Sequence, residues 1–174
     1  MRSLETVVLF ATVGAVALFL AFFVDFIAQS ALDEEVRAVA KAAGDSVASV
    51  LRDVYTVSSW SYVASFERFL YLPTDFPTLD AFDYTITLFN YRGVLYVNIS
   101  FTGYRGSGVS HVVYTVAVGN FTELGHGSNI QVLIDDSEGC WMGIDLTWPE
   151  SRVELKPRRE PYVLCVRRVQ YFVT

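Results

Sequence analysis

The chain has 174 residues, of which 52% are hydrophobic and 18% are charged, and its formal net charge is −6. This length accommodates one globular domain together with an extended segment. The 13 basic residues are outnumbered by 19 acidic ones and form no stripe, so the composition gives no support to nucleic-acid binding. The hydrophobic residues are concentrated at the N-terminus and in aromatic and β-branched runs after residue 80.

The first predicted element is an apolar helix. Residues 6–24 carry no charge, and a helix of that length spans about 28 Å, close to the roughly 30 Å hydrocarbon core of a bilayer. A cleaved signal peptide is the alternative, but its apolar region is shorter and ends in a small-residue cleavage site, whereas Asp25 follows this one directly. Because Arg2 precedes the span and acidic residues follow it, the positive-inside rule places the N-terminus in the cytoplasm and the remaining chain outside.

The helical pattern continues beyond the span to about Val57. Residues 31–57 contain no proline, and their apolar residues recur at alternating steps of four and three, which is typical of a heptad seam. Such a seam needs an apolar partner, which is either the chain's own C-terminal domain or the helices of other copies. The residues predicted to mediate helix–helix assembly are Val7, Phe10, Gly14, Ala17, Val36, Ala40, Ala43, Val47, Val50 and Val54.

The pattern changes near Pro73 and Pro77, because proline ends a helix. Residues 58–79 form an aromatic-rich connection that is compatible either with more helix or with a layer packed against a sheet. Beyond it the apolar period is two, and the alternating runs 83–89 and 94–101 flank a glycine-containing turn, which predicts a β-hairpin. Further strands are predicted at residues 111–118, 129–134, 139–146, 152–155 and 162–173.

Together these elements predict an α+β protein with a long hydrophobic N-terminal helix followed by an all-β, antiparallel, sandwich-like head. Short strands at regular spacing are typical of antiparallel sandwiches and barrels. The predicted organisation is a transmembrane or filament-core helix over residues 1–57, the connection over residues 58–79 and an extracellular head over residues 80–174.

The sequence contains no catalytic motif and no metal-binding motif. His111 and His126 have no second histidine or cysteine at metal-ligand spacing. Asp135 and Asp136 cluster oxygens but lack the ligand spacing of a calcium loop, so an ordinary polar turn is the better interpretation. Nucleotide-binding loops and nucleophile motifs are also missing from the sequence. We therefore expect a protein without enzymatic activity, without a metal and without another cofactor.

Two kinds of covalent modification are predicted for an exported head. Asn98 in Asn-Ile-Ser and Asn120 in Asn-Phe-Thr are candidate glycosylation sites, and Asn120 is the better placed because it follows a predicted strand. Cys140 and Cys165 are too far apart for a CxxC redox motif. They either remain buried thiols or form a disulfide, which the chain-entropy treatment values at about 3 kcal/mol.

A long helix over residues 1–57 followed by a β-rich region over residues 80–174 resembles the type IV pilin-like proteins, above all the archaeal pilins and archaellum components. The resemblance implies an extracellular filament for adhesion or motility, in which apolar helices form the core and glycosylated heads face outward. It also implies that the chain binds copies of itself through the helix and resides in the membrane before assembly.

Two alternatives remain beside the filament subunit. The first is an uncleaved, single-pass membrane-anchored protein, such as an archaellum stator component that binds surface-layer protein. The second is an anchored ligand-binding ectodomain without a filament. The C-terminal domain lies outside the membrane in both. The apolar seam favours assembly, because an anchor needs only residues 6–24.

Overall fold

The computed structural model describes residues 2–60, 65–128, 130–135 and 143–168. Within these ranges the chain forms helices and strands in the order helix, four strands, short helix and four strands. The helices are α1 (Arg2–Ser58) and α2 (Phe121–Ser128). The strands are β1 (Ser65–Leu70), β2 (Ala81–Tyr91), β3 (Val94–Arg105), β4 (Gly108–Asn120), β5 (Ile130–Asp135), β6 (Ile144–Asp145), β7 (Arg152–Leu155) and β8 (Tyr162–Arg168).

The dominant element is α1, a single helix of 57 residues that is about 85 Å long at 1.5 Å per residue. No proline interrupts it. Its N-terminal part is long and apolar enough to cross a membrane, and none of that part is buried. The predicted hydrophobic helix is therefore confirmed, with its C-terminal end at Ser58.

The described strands form two antiparallel four-stranded sheets. One sheet has the strand order β4-β3-β2-β7, and the other has the order β1-β8-β5-β6. A long apolar helix followed by antiparallel sheets is the α+β arrangement that the sequence predicts, so the predicted fold class is confirmed.

The predicted hairpin is present as β2 and β3, which pair from Ala81 opposite Tyr104 to Tyr91 opposite Val94. The connecting residues Arg92 and Gly93 both have positive φ, at 53° and 90°. A two-residue loop with positive φ at both positions is a type I′ turn, whose twist matches that of the flanking strands.

The C-terminal half of α1 lies along β4 in the same direction. Near the start of β4, Gln29 Nε2 donates a hydrogen bond of 2.9 Å to the Val109 carbonyl. Near its end, an Arg52 guanidinium nitrogen donates one of 2.9 Å to the Ala117 carbonyl. We call the end of the head beside Gln29 its inner end and the end beside Arg52 its outer end. The apolar N-terminal half of α1 extends away from the inner end.

One hydrophobic core joins the helix to both sheets. Buried side chains from α1, from the β4-β3-β2-β7 sheet and from the β1-β8-β5-β6 sheet form a single cluster, with Leu51, Ile99 and Leu164 each 0% exposed. From Tyr84 to Asn90 on β2 and from Leu95 to Gly103 on β3 every second residue is buried, as the period of two predicts. Burying one aliphatic side chain of this kind stabilises the fold by about 1.5–3 kcal/mol.

The aromatic-rich connection contributes to the head, which corrects the predicted boundary at residue 80. Its strand β1 pairs with β8, from Ser65 opposite Arg167 to Leu70 opposite Tyr162. Leu70 is 1% exposed, so the strand is held by core packing as well as by the sheet ladder. Of the strand predicted over residues 139–146, the structure describes residues 143–146, of which Ile144–Asp145 form β6, and residues 139–142 lie outside the described residues.

The short helix α2 has no counterpart among the predicted elements, because its two glycines disfavour a helix. It begins after Asn120, whose side-chain oxygen accepts a hydrogen bond of 3.4 Å from the Glu123 backbone nitrogen. This is the geometry of an N-cap. Phe121, the first helical residue, is fully buried with its ring centroid 5.5 Å from that of Tyr55.

Replacing Gly103 by alanine tests the close packing of α1 on β3. A Cβ atom at this position would lie 2.6 Å from Val36 Cγ2 and 3.1 Å from a methyl group of Leu79. We expect Gly103→Ala to lower the free energy of unfolding by about 1–3 kcal/mol, because both neighbours must move in a packed core. The measurement is urea unfolding of the full chain in detergent micelles, followed by tryptophan fluorescence.

Gly14→Ala is the matched control, because no atom lies within 4 Å of a Cβ at that position. It should leave the unfolding midpoint of the head unchanged. Equal midpoints for Gly103→Ala and the wild type would contradict the close approach of α1 to the sheet.

Candidate functional site: the two halves of the long helix

The N-terminal half of α1 exposes apolar side chains on every side. Val7, Phe10 and Phe22 are 67%, 71% and 76% exposed, and the large hydrophobic residues between Val7 and Ile27 are all at least half exposed. The hydroxyl of Thr12 donates to the Val8 carbonyl at 2.8 Å, so this polar group is satisfied within the helix. A helix that is apolar all round requires an apolar environment, which is either a bilayer or a bundle of other helices.

Four of the residues predicted for assembly lie on this exposed half. Val7 and Phe10 are exposed, and so is Ala17. Gly14 has open space around it in the isolated chain. The four positions follow one another at steps of three, four and three, so they share one face of the helix. This face is available to another copy of the chain.

The seam on the C-terminal half of α1 is covered by the chain's own head, which corrects the interpretation that it packs on other copies. Its buried members are at most 4% exposed, and Val50 is half-buried against the same core. The cause is that the apolar face of β3 and β4 must be shielded from water, and α1 packs against that face. The buried seam residues are Val36, Ala40, Ala43, Val47 and Val54.

Small residues allow the helix to approach the sheet closely. A Cβ atom at Gly44 would lie 2.8 Å from Cδ1 of the Tyr114 ring and 3.5 Å from Ile99 Cγ2. Ala40 and Ala48 are fully buried on the same side of the helix. The short side chains predicted to permit close helix–helix contact therefore permit close helix–sheet contact within one chain.

Polar contacts along the seam fix the register of α1 on the sheet. Near the inner end, a guanidinium nitrogen of Arg105 lies 2.7 Å from Glu35 Oε2. Further along, the Tyr114 hydroxyl donates a hydrogen bond of 2.9 Å to Asp45 Oδ1. An exposed ion pair contributes at most about 1 kcal/mol, so these contacts orient a helix that the apolar core holds.

Two tyrosines in the head have raised pKa values. The hydrogen bond to Asp45 is the main cause of the raised pKa of the Tyr114 hydroxyl, with desolvation as the next contribution. Burial is the main cause of the raised pKa of Tyr84, whose hydroxyl donates to the Pro73 carbonyl. Both hydroxyls therefore stay protonated at neutral pH and act as hydrogen-bond donors.

The two candidate glycosylation sites have different surroundings. Asn98 is half-buried on the outward face of β3, and its Nδ2 donates a hydrogen bond of 2.8 Å to Thr115 Oγ1. Asn120 is also half-buried, and its Oδ1 caps α2 through the Glu123 backbone nitrogen. Glycan attachment at either asparagine remains a prediction.

The structure describes one of the two cysteines of the predicted disulfide. Cys165 lies in β8, is 4% exposed and is disulfide-bonded. Cys140 lies outside the described residues, so its pairing with Cys165 remains a prediction.

The other polar candidates are not brought together in the described part of the chain. His111 is exposed on β4, with its Nδ1 2.9 Å from Thr102 Oγ1. Asp135 ends β5, Asp136 lies outside the described residues, and the structure describes no side chain for His126. Among the described residues, no group of three or more histidine, cysteine, aspartate or glutamate side chains could hold a metal ion.

The outer end of the head carries features that no sequence motif predicts. Tyr91 and Trp148 are 55% and 66% exposed there, in two turns joined by backbone hydrogen bonds. Each is a single aromatic residue beside a turn, and neither belongs to a recognisable motif. The sequence does contain one unusual feature next to Tyr91. Arg92 occupies a type I′ turn position that favours asparagine or glycine.

Comparisons of the chain with protein-family models, with curated proteins and with solved structures find no match. No relative's function is therefore transferred to this chain. What bears on its function is the contrast between the two halves of α1, one covered by the head and one exposed.

Placing a charge in each half of α1 tests this contrast. We expect Val47→Asp to lower the free energy of unfolding of the head by about 3 kcal/mol or more, because it removes core packing and buries a carboxylate. Val7→Asp should change it by no more than about 0.5 kcal/mol, because Val7 lies outside the head. Urea unfolding of the full chain in micelles measures both. If Val47→Asp left the midpoint unchanged, the burial of the seam would be disproved.

Proposed function

We propose that this protein is a structural subunit of an extracellular, type IV pilus-like filament. The N-terminal halves of α1 would pack together as the hydrophobic core, and the β-rich heads would form the outer surface. The observation that carries the proposal is the fully exposed, all-round apolar helix that projects from a folded head. Such a helix is stabilised by removal of its surface from water, at about 25 cal/mol for each Å² buried.

Two further features favour a filament over a simple anchor. First, α1 passes from the apolar half into the head without a break, and the head is fastened to it from Gln29 to Arg52. A filament needs this rigidity, because packing of the helices must also set the position of every head. Second, the exposed face of Val7, Phe10, Gly14 and Ala17 has the spacing and the small residues of a helix–helix contact.

The second candidate function is a single-pass membrane anchor with an external head. It is favoured by the burial of the seam, because the residues beyond the apolar half leave no apolar stripe for other copies. In that case residues 6–24 would span the bilayer, and the head would bind surface-layer protein or another ligand beyond it.

Exchanging Gly14 for leucine separates these two functions. Leucine keeps the segment apolar, so membrane insertion is retained, but it fills the space that a close helix–helix contact requires. We expect Gly14→Leu to reduce the amount of this chain in sheared surface fibres at least tenfold while its amount in the membrane fraction is maintained. Immunoblots of the two fractions provide the measurement.

Ala15→Leu is the matched control, because Ala15 is also small and exposed but points about 100° away around the helix. We expect the Ala15→Leu variant to yield more of the chain in the sheared fibres than the Gly14→Leu variant does. Fibre yields that are equal for Gly14→Leu and the wild type would contradict the proposed helix packing. If the wild-type chain itself occurs only in the membrane fraction, the anchor replaces the filament subunit.

A further inference from the structure

Two turns form a single unit at the outer end of the head. One is the β2–β3 turn, and the other follows β6. The Asn90 backbone nitrogen donates to the Ser151 carbonyl at 2.9 Å, and the Glu150 nitrogen donates to the Asn90 carbonyl at 3.2 Å. The buried Asn90 side chain adds a hydrogen bond of 3.2 Å to the Leu146 carbonyl. We call residues 90–93 and 146–151 the outer tip.

The outer tip concentrates the backbone strain of the described chain. Arg92 and Glu150, with φ of 53° and 65°, are the non-glycine residues with positive φ in the described ranges. Each costs roughly 1–3 kcal/mol relative to an ordinary backbone conformation. Glycine would relieve this cost in a turn, so its absence at both positions suggests that the two charged side chains serve a purpose.

Unsatisfied polar atoms occur in the same place. In the part of the chain that the structure describes, the buried side-chain polar atoms without a hydrogen-bond partner are Asp145 Oδ2 and Ser151 Oγ. Ser151 belongs to the outer tip, and Asp145 directly precedes Leu146, the first residue of the tip's second segment. Departures from local stability rules of this kind are expected at functional sites.

Each of these two turns carries one exposed aromatic ring. Tyr91 and Trp148 are more than half exposed, and the Arg92 guanidinium carbon lies 5.2 Å from the centre of the Tyr91 ring. Tyr91 lies two residues after Phe89 on β2, so the two side chains share the outward face of the sheet. The Phe89 ring stacks on that of Tyr96, with centroids 5.4 Å apart. The outward face of the sheet therefore ends in an aromatic platform beside the outer tip.

The charges of the outer tip bear on the kind of ligand that it could bind. The charged residues of the outer tip are Arg92 and Glu150, and on the adjoining strand β7 Arg152 lies 3.1 Å from Glu154. One positive and one negative side chain give no preference for phosphates or anionic lipids, but they offer hydrogen-bond donors and acceptors together. Neutral sugars need this combination, since their hydroxyl groups both donate and accept.

The neighbouring surface favours a sugar over a protein partner. Beyond the aromatic platform the outward face continues with the paired residues Thr87, Asn98 and Thr115, which are short and polar. A stable protein–protein interface buries about 800 Å² on each partner around an apolar centre. A few exposed rings beside short hydroxyl and amide side chains suit a ligand of a few sugar rings better.

We propose that the outer tip is a binding site for a neutral saccharide. The C–H face of a sugar ring stacks on Trp148 or Tyr91, and Arg92 and Glu150 hydrogen-bond to the ring hydroxyl groups. The positive φ at these two residues sets the direction in which their side chains leave the backbone. The site is independent of how α1 is used, so it would serve a filament subunit and a membrane anchor alike.

The test uses the full chain in lipid nanodiscs, because sugar-based detergents would compete for the site. Saturation-transfer NMR is recorded with maltohexaose, cellohexaose, mannohexaose and chitohexaose as probes. We expect at least one probe to bind the wild type, and Trp148→Ala and Tyr91→Ala to weaken that binding about tenfold each. Tyr71→Ala is the matched control, since Tyr71 is 67% exposed and follows β1, away from the outer tip. Its binding should equal that of the wild type.

Arg92→Gly distinguishes a binding role from a structural one. Glycine relieves the positive φ, so the urea midpoint should stay the same or rise, whereas saccharide binding should fall. The proposal would be overturned if the wild type bound none of the four probes. Binding of a protein without glycans at the outer tip would not rescue it. Unchanged binding by the tip variants would overturn it as well. Fibre yield and membrane association should be unaffected in Trp148→Ala, so these outcomes are separate from the filament proposal.

Discussion

Burial of the C-terminal half of α1 against β3 and β4 determines how the rest of the chain is arranged. The inner face of these strands is apolar, and Val36, Ala43 and Val47 cover it at close range. Gly44 and Gly103 bring the helix and the sheet together at distances that leave no room for a Cβ atom. Without this helix one face of the sheet would lie open to water, so the head depends on α1 as part of its own core.

The same contact fixes what the N-terminal half of α1 is free to do. The contacts of α1 with the head begin at Gln29, two residues beyond Ile27, the last large apolar residue of the exposed half. The helix continues unbroken across this boundary, so no loop separates the head from the apolar half. A rigid connection of this kind is what we propose a filament uses to place its heads, and a membrane anchor would use it to hold its head at a fixed height above the bilayer.

Much of this arrangement could be predicted from the sequence. The uncharged stretch over residues 6–24 and the period of two after residue 80 predicted the apolar helix and the β2–β3 hairpin. The partner of the seam could not be predicted, because apolar residues at steps of three and four fit a sheet as well as another helix. The spacing of the seam residues from Val36 to Val54 correctly predicted which face of the helix is buried. It did not predict what covers that face, which in the structure is the chain's own head.

Other elements escaped prediction for local reasons. Strand β1 is short and aromatic, and it becomes a strand through pairing with β8, which lies far along the chain. Helix α2 contains two glycines and is held by the Asn120 cap and the buried ring of Phe121. The outer tip joins Tyr91 to Trp148 across 57 positions of sequence, and a relation of that kind depends on the fold rather than on any motif.

The central claim is that the exposed half of α1 forms the core of a surface filament. Electron microscopy of sheared surface material, combined with intact-mass analysis of the protein in it, tests this most directly. We expect fibres that contain this chain, and the measured mass would also reveal any N-terminal cleavage and any attached glycans. Full-length chain that stays with the membrane, with none in the fibres, would contradict the account and leave the anchored head in its place.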